Sequence, residues 1–463
     1  MNTKINDFFN YINNKHIALC GIGVTNIPLV DLFLKNKAKL TVCDSRSKEA
    51  LGKVALDLEN KGVKLKLGEN YLKDLDADIV FRSPGLKYYS PELTELRNRG
   101  VIVTSEMEVF FDLCPCKIIA VTGSDGKTTT TTIISEFLKQ SGKTVHLGGN
   151  IGNPLLQNIG NIKSDDFAVI ELSSFQLISM RKSPDIAVVT NLAPNHLDIH
   201  KDMNEYIEAK KNIILHQNAF SRTVLNLDNN ITKDFSNTIR GEKLFFSRKN
   251  ENTNGAWVSR NNKIIMTYKG KNSEIMSTKD IKIPGNHNIE NYLAAICAVW
   301  GLVNISDIIN VARNFNGVEH RNEFVREING IKFYNDSIAS SPTRTALGTL
   351  SLYDKKIIII AGGYDKKIPF DDLGPIIVEK VKTLILLGAT SNKIEKSVKS
   401  ALSYKPGCPN IIKVTSMEEA VKKSYEIAKT GDIIALSPAC ASFDMYPNFV
   451  ERGNHYKKLV NSL

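Results

Sequence analysis

The sequence predicts an α/β protein of three successive segments, each a parallel sheet with helices on both faces. Three observations predict it. Short apolar runs rich in Val and Ile alternate with helix-patterned stretches nearly throughout; most of these runs end in small or polar residues; and one run leads through a Gly-flanked turn into Lys127 and Thr128. Strands buried on both faces read as continuous apolar runs, and their carboxyl ends form the edge where doubly wound sheets bind ligands. A chain of 463 residues has room for about three domains at ~150 residues each.

In the first segment "KHIALCGIGVTN", "KLTVCDSR" and "DIVFRSPG" read as strands with their following turns. "GIGVTN" puts Gly21 and Gly23 on the fingerprint G-x-G-x-x-G, but Asn26 stands where the third Gly belongs. Asp44 closes the second strand, as a ribose-binding acid would. An NAD turn is one reading, and a different nucleotide held by the same turn is the other. The missing Gly and the phosphate turn next door favour the second.

In the second segment the strands are "KIIAVT", "TVHLGG", "FAVIE" and "DIAVVT". The first runs into "GSDGKTTT". Gly123 and Gly126 allow close backbone approach to phosphate oxygens, Lys127 reaches the β- and γ-phosphates, and the Thr128 hydroxyl suits Mg²⁺. The full pattern G-x-x-x-x-G-K-[ST] would need Gly at 121, where Val121 stands, so the match is to a shortened form. Glu171 ends "FAVIE", where a Mg²⁺-binding acid belongs. His196 and Asp198 follow a further strand; a lone His is more often structural, but this one sits at a carboxyl strand end. Lys210 lies in helix-patterned "YIEAKK". Residues 221 to 285 are polar and Asn-rich with strand-like pieces such as "KIIMTYK", and suggest a small antiparallel accessory piece. In the third segment "KKIIIIAGGYDK", "KTLILLGAT" and "GDIIALSPACASFD" repeat the strand-and-turn pattern.

Composition limits the function classes. Lys plus Arg is 60 against 49 Asp plus Glu, a formal charge of +11, but the basic residues are scattered without interleaved aromatics. The charge reads as solvated surface biased toward anionic substrates, with no nucleic-acid partner expected. No apolar run reaches the ~18 residues of a membrane span. The opening "MNTKINDFFNYINNKH" lacks a signal peptide's apolar core, and seven cysteines, an odd number, fit reduced thiols. A cytoplasmic protein is expected. "CPC" at Cys114 and Cys116 has no second Cys/His pair to complete a zinc set.

The ordered set "TGSDGKTT", "GGNIG", "ELSSFQL", "NHLDIH", "YIEAKK", "PGNHNIENYLAA", "GVEHR", "YNDS", "AGGYDKKIPF" and "LSPACASFDMYPNFVERG" resembles the Mur ligases over essentially the whole chain. These are the ATP-dependent amino-acid-adding enzymes of peptidoglycan synthesis. "ELSSFQL" and "LSPACASFD" resemble more narrowly the branch that adds D-glutamate to UDP-N-acetylmuramoyl-L-alanine. The resemblance implies three domains: an N-terminal Rossmann-like UDP-binding domain over 1–104, a central ATP-binding P-loop domain over 105–317, and a C-terminal Rossmann-like amino-acid-binding domain over 318–463. A monomer is expected.

Residue by residue, it implies that Gly123, Ser124, Asp125, Gly126, Lys127, Thr128 and Thr129 hold the ATP phosphates. Thr128 and Glu171 would hold one Mg²⁺, and His196 a second. Lys210 matches the lysine that the family carbamylates, which turns a cation into a metal-binding anion and needs a neutral, buried amine. Asn288, Asn291 and His320 would contact adenine, and Arg321 and Asp336 the ribose and phosphates. Val24 and Thr25 would meet the pyrophosphate of the UDP substrate, Asp44 and Arg46 its uridine, and Ser83, Gly85 and Asn150 other parts of it. Lys366, Ser442, Phe443 and Phe449 would receive D-glutamate, with Lys366 also counted as catalytic beside Lys127, Glu171, His196 and Lys210. Two positions depart from the family pattern: Ile338 stands where many members have Lys, leaving Lys366 or Arg344 as the available cations, and Asn195 precedes His196 where an acid is common. A ligase for another amino acid, a folate polyglutamate synthetase and a P-loop ATPase acting on nucleic acid are alternatives separable by which substrates drive ATP turnover; an NAD-linked enzyme is a further one, removed if residues 1–104 bind UDP but not NAD.

Overall fold

The computed structural model describes residues 3–194 and 199–463. Three sheets follow one another along the chain. The first contains β1 (His16–Cys20), β2 (Lys39–Asp44), β3 (Lys64–Leu67), β4 (Ile79–Arg82) and β5 (Ile102–Thr104). All its pairings are parallel, in the order β3-β2-β1-β4-β5. The order turns about β1, so the loops after β1 and β4 flank the crevice where a doubly wound sheet takes its ligand.

The second sheet has nine strands: β6 (Lys117–Thr122), β7 (Val145–Gly149), β8 (Phe167–Glu171), β9 (Ile186–Val189), β10 (Arg222–Asn226), β11 (Glu242–Ser247), β12 (Gly255–Val258), β13 (Lys263–Tyr268) and β14 (Lys271–Ser277). β6 lies between β8 and β9, parallel to both. Its Ile118, Ile119, Ala120 and Val121 are buried, as a strand covered on both faces requires. Residues 221–285 correct the sequence reading: in place of a separate antiparallel piece, the strands over 222–277 extend the central sheet. β10, β11 and β12 continue it in parallel from β9, and only β13 and β14 turn antiparallel. Their polar character has a local cause. Thr223 and Asn226 are buried yet satisfied, Thr223 by Gln217 at 2.5 Å and Asn226 by the Thr190 carbonyl at 2.8 Å.

The third sheet holds β15 (Glu323–Ile328), β16 (Ile331–Asn335), β17 (Ile357–Ala361), β18 (Val381–Leu386), β19 (Asn410–Lys413) and β20 (Ile433–Leu436). Its order is β15-β16-β20-β17-β18-β19, parallel except for the edge strand β15. The described chain forms two compact units. Met1–Asp280 with His287–Arg313 carries the first two sheets, and Ile281–Asn286 with Asn314–Leu463 carries the third. Among the described residues no helix is long and apolar enough to cross a membrane.

Candidate functional site

The central β6 delivers the chain into the turn at Gly123–Gly126. Gly123 has φ +149° and Gly126 φ +77°, values that L side chains rarely adopt. Gly126 caps the helix Lys127–Gln140, so the N-terminal end of that helix, with its partial positive charge, faces the loop. The end of β9 pins the turn: Ser124 N–H donates to the Asn191 carbonyl at 2.8 Å, and Asp125 N–H to Asn191 Oδ1 at 3.0 Å. Thr190 Oγ1 donates to the Asp125 carbonyl at 2.6 Å, and Ser124 Oγ lies 2.9 Å from the Tyr206 hydroxyl. Lys127 Nζ folds back to the Ser124 carbonyl at 2.9 Å. A glycine turn that ends in a lysine at a helix N-terminus suits a polyphosphate.

Beside the turn, Glu171 ends β8 and is buried. Thr128 Oγ1 donates to its Oε2 at 2.6 Å, and Asn150 Nδ2 to its Oε1 at 2.8 Å. A hydroxyl and a carboxylate are hard oxygen donors of the type that Mg²⁺ takes, so the residues present fit that ion. Lys210, on the helix Met203–Leu215, is only 2% exposed. Its Nζ donates to the Gly123 carbonyl at 2.8 Å and to Thr122 Oγ1 at 3.1 Å. Burial, then the nearby Lys127 charge, holds its pKa well below the ordinary lysine value. An amine so depressed spends more of its time neutral, the form that reacts with CO₂.

Asn288 and Asn291 come to the same turn from the helix Asn286–Val299. Thr130 Oγ1 donates to Asn291 Oδ1 at 3.2 Å, and Asn291 Nδ2 to Asn288 Oδ1 at 3.1 Å. A Cβ on Gly126 would overlap Asn291 Oδ1. Thus Gly123 to Thr129, Asn150, Glu171, Lys210, Asn288 and Asn291 converge on one sheet edge. His196, with Asn195 and Asp198, lies outside the described residues. His200, which the sequence reading does not single out, is buried, stacked on Phe175, and 2.8 Å from Ser174 Oγ in "ELSSFQL". Its only sequence signal is its place at the end of "NHLDIH".

At the first sheet, Asp44 closes β2 and forms a bidentate pair with Arg46, at 2.8 and 3.0 Å. Burial alone would raise the Asp44 carboxyl, but hydrogen bonds from Arg46 and the Ile22 N–H outweigh it and leave the pKa below the usual carboxylate range. Asn26, at the third-glycine position, is buried and donates through Nδ2 to the Cys20 and Gly21 carbonyls, both at 3.1 Å. Its amide ties down the turn after β1. Val24 and Thr25 stand on that turn, Val24 widely exposed. Ser83 N–H donates to the Cys20 carbonyl at 2.8 Å, and a Cβ on Gly21 would overlap the Ser83 side chain. Gly85 is exposed in the same loop.

The third sheet gathers two groups. In one, Asp336 is buried and accepts from Thr349 Oγ1 at 2.5 Å and from the Asn322 N–H at 3.2 Å; burial pushes its pKa up to about 6. His320, at φ +62°, takes a 2.9 Å hydrogen bond from Asn335 at Nδ1, while its buried Nε2 has no hydrogen-bond partner. Arg321 follows it in the chain. In the other, Lys366 is exposed in the loop after β17 and lines a small hollow with Ser340, Tyr364, Ala439 and Cys440. Phe443 meets the Tyr364 ring edge-on at 5.8 Å, and Ser442 is buried with its carbonyl taking the Met445 and Tyr446 N–H groups. Phe449 is brought to the first group instead: its ring meets the His320 imidazole at 6.0 Å. Ile338 donates its N–H to the His320 carbonyl at 3.1 Å.

Three successive parallel-sheet α/β domains, the middle one carrying a glycine turn suited to phosphate, define the class of the protein. The Mur ligase MurD-like N-terminal domain matches residues 15–105, the Mur ligase middle domain residues 121–299, and the Mur ligase glutamate ligase domain residues 320–440. The chain belongs to the Mur ligase family. It is similar to the UDP-N-acetylmuramoylalanine--D-glutamate ligase of Acetivibrio thermocellus, 52% identical over the full length of both chains, and to the enzyme of that name from Clostridium botulinum, 51% identical over the full length of both. Among solved structures it shares its fold with a UDP-N-acetylmuramate-alanine ligase from Thermotoga maritima, at 17% identity and TM-score 0.58, covering 97% of this chain and 99% of that one.

Proposed function

We propose that this chain joins D-glutamate to the alanyl carboxylate of UDP-N-acetylmuramoyl-L-alanine at the expense of ATP, in the synthesis of peptidoglycan precursors. The observation that carries this reading is the convergence of the phosphate turn, the Thr128–Glu171 pair and buried Lys210 on one sheet edge. Its support from relatives is the full-length 52% identity to an enzyme of that name. A carboxylate is a poor acyl donor because its leaving group would be oxide. Transfer of the γ-phosphoryl group makes an acyl phosphate, the amine of D-glutamate attacks the acyl carbon, and phosphate leaves as the amide forms.

The residues take the following parts. The amides of Gly123 to Thr129 orient the phosphates, and Lys127 neutralises charge that develops as the phosphoryl group moves. Thr128 and Glu171, with His196 and a carbamate on Lys210 at a second position, would hold Mg²⁺, which supplies charge neutralisation for phosphoryl transfer. Asn288, Asn291 and His320 face adenine; the His320 Nε2–H offers a donor. Arg321 and Asp336 attend the ribose and phosphates. Val24, Thr25, Asp44, Arg46, Ser83, Gly85 and Asn150 bind the UDP substrate, and Lys366, Ser442 and Phe443 receive D-glutamate, while Phe449 packs on His320. We read the domains as 1–104, 105–317 and 318–463, and the protein as a cytoplasmic monomer.

The test is phosphate release from ATP with UDP-N-acetylmuramoyl-L-alanine, across a panel of D- and L-amino acids. Release with D-glutamate alone is expected. Preference for L-alanine, L-lysine or meso-diaminopimelate would move the chain to another branch of its family.

A further inference from the structure

Arg82, the last residue of β4, is the largest wholly buried side chain among the described residues, at 1% exposed. It stands directly before the loop of Ser83 and Gly85. A buried guanidinium is costly unless its donors are satisfied, and this one is satisfied largely from outside its own sheet. Nη1 donates to the Leu86 carbonyl at 3.3 Å. Nη2 donates to the Phe175 carbonyl at 2.9 Å and to Ser179 Oγ at 2.7 Å, both in the segment that follows Glu171. Ser179 Oγ in turn donates a hydrogen bond to Glu108 Oε2 at 2.9 Å, and Ser105 Oγ donates to the same oxygen at 2.7 Å. The Tyr88 ring packs 5.3 Å from the guanidinium, with Arg97 4.4 Å from that ring. The charge is therefore matched to a carboxylate only through one hydroxyl, and Nε has no partner.

We infer that Arg82 is a positioning residue that fixes the span between the substrate loop of the first sheet and the Glu171 edge of the second, through Ser179 and Glu108. The inference rests on the proposed function. The substrate of that reaction is long: its nucleotide end lies at the first sheet and its reacting carboxylate at the phosphate turn. UDP alone touches one end and does not sense the span, and ATP does not sense it either. Only the full substrate does.

The test uses the full-length enzyme with Arg82→Met, Arg82→Lys and Ser179→Ala. Three quantities are measured: the Kd for UDP, the KM for UDP-N-acetylmuramoyl-L-alanine and the KM for ATP. Arg82→Met should raise the KM for the full substrate by roughly tenfold or more, the scale of one lost charge-assisted hydrogen bond, with UDP and ATP constants within about twofold. Arg82→Lys should recover part of the loss. Ser179→Ala should shift the same constant in the same direction and carries the test if Arg82→Met does not fold. Equal weakening of UDP and full substrate would reduce Arg82 to local support of its loop and overturn the inference, as would an unchanged KM in both Arg82→Met and Ser179→Ala. Absence of D-glutamate ligation by the unaltered enzyme would instead refute the proposed function.

Discussion

Replacing Gly126 by Ala separates the chemistry of the phosphate turn from the general cost of a left-handed residue. At φ +77° an L-residue costs about 1–2 kcal/mol. The new Cβ would also overlap Asn291 Oδ1. If Asn291 moves away, its bonds with Thr130 at 3.2 Å and Asn288 at 3.1 Å are lost, at about 1 kcal/mol each. The sum is roughly 3–4 kcal/mol, spent partly on stability and partly on nucleotide affinity. Gly142 supplies the control, since it has the same φ of +77° and nothing within 4 Å of an added Cβ. Gly142→Ala should lower the melting temperature slightly and leave affinity for a non-hydrolysable ATP analogue unchanged. Gly126→Ala should weaken that analogue by about tenfold to a hundredfold in calorimetric titration. Unaltered analogue binding by Gly126→Ala, or equal losses in the two variants, would refute the assignment of this turn to nucleotide.

Lys210→Met should cost about 10²–10³ in turnover, the scale of one preorganised electrostatic contact; ¹³C-labelled bicarbonate should give a carbamate resonance in the unaltered enzyme that the variant lacks, and a fully active variant would leave Lys210 a structural residue. Lys366→Ala should raise the KM for D-glutamate by roughly thirtyfold, about 2 kcal/mol, while the KM for ATP holds; an unchanged KM for D-glutamate would remove Lys366 from that pocket. Glu106 is buried where the Leu156 N–H reaches it at 2.9 Å, and burial raises its pKa to about 7. Its folded form keeps a proton that the unfolded chain loses near pH 4.5, so its contribution is full below that pH and lost as the pH rises through about 7. Urea unfolding should show Glu106→Gln relieving roughly 3 kcal/mol of that loss between pH 4.5 and 7.5, and parallel pH profiles would contradict it.

The phosphate turn and Glu171 were legible in sequence because their chemistry is tied to a local pattern: an apolar strand, a glycine with positive φ, and an acid or a Lys-Thr pair at the carboxyl end. Most strands of the three sheets carried the same signal. Partnership was not legible. The pieces over 221–285 show strand periodicity, but nothing in "KIIMTYK" states which neighbour it pairs with, and the choice fell to the edge of the central sheet. Arg82 has no pattern at all; a basic residue ending a strand ordinarily points to solvent, and its burial follows from Ser179 and Glu108, which are distant in sequence. Asn26 read as a missing glycine, whereas its amide supplies two hydrogen bonds that glycine could not. The contact of Phe449 with His320 joins residues more than a hundred positions apart, beyond the reach of any periodicity.

Glu171, the phosphate turn and Thr190–Asn191 leave the ends of three adjacent strands, β8, β6 and β9, whose parallel registers are fixed residue against residue. A register in a buried sheet cannot drift by small amounts, because a one-residue slip would exchange the side chains packed against its two faces and break the close packing on both. The spacing of these groups therefore tolerates changes of length and sequence in the loops beyond them. Selection can reshape what the enzyme recognises at the loop tips while the distance from acid to phosphate turn is inherited unchanged.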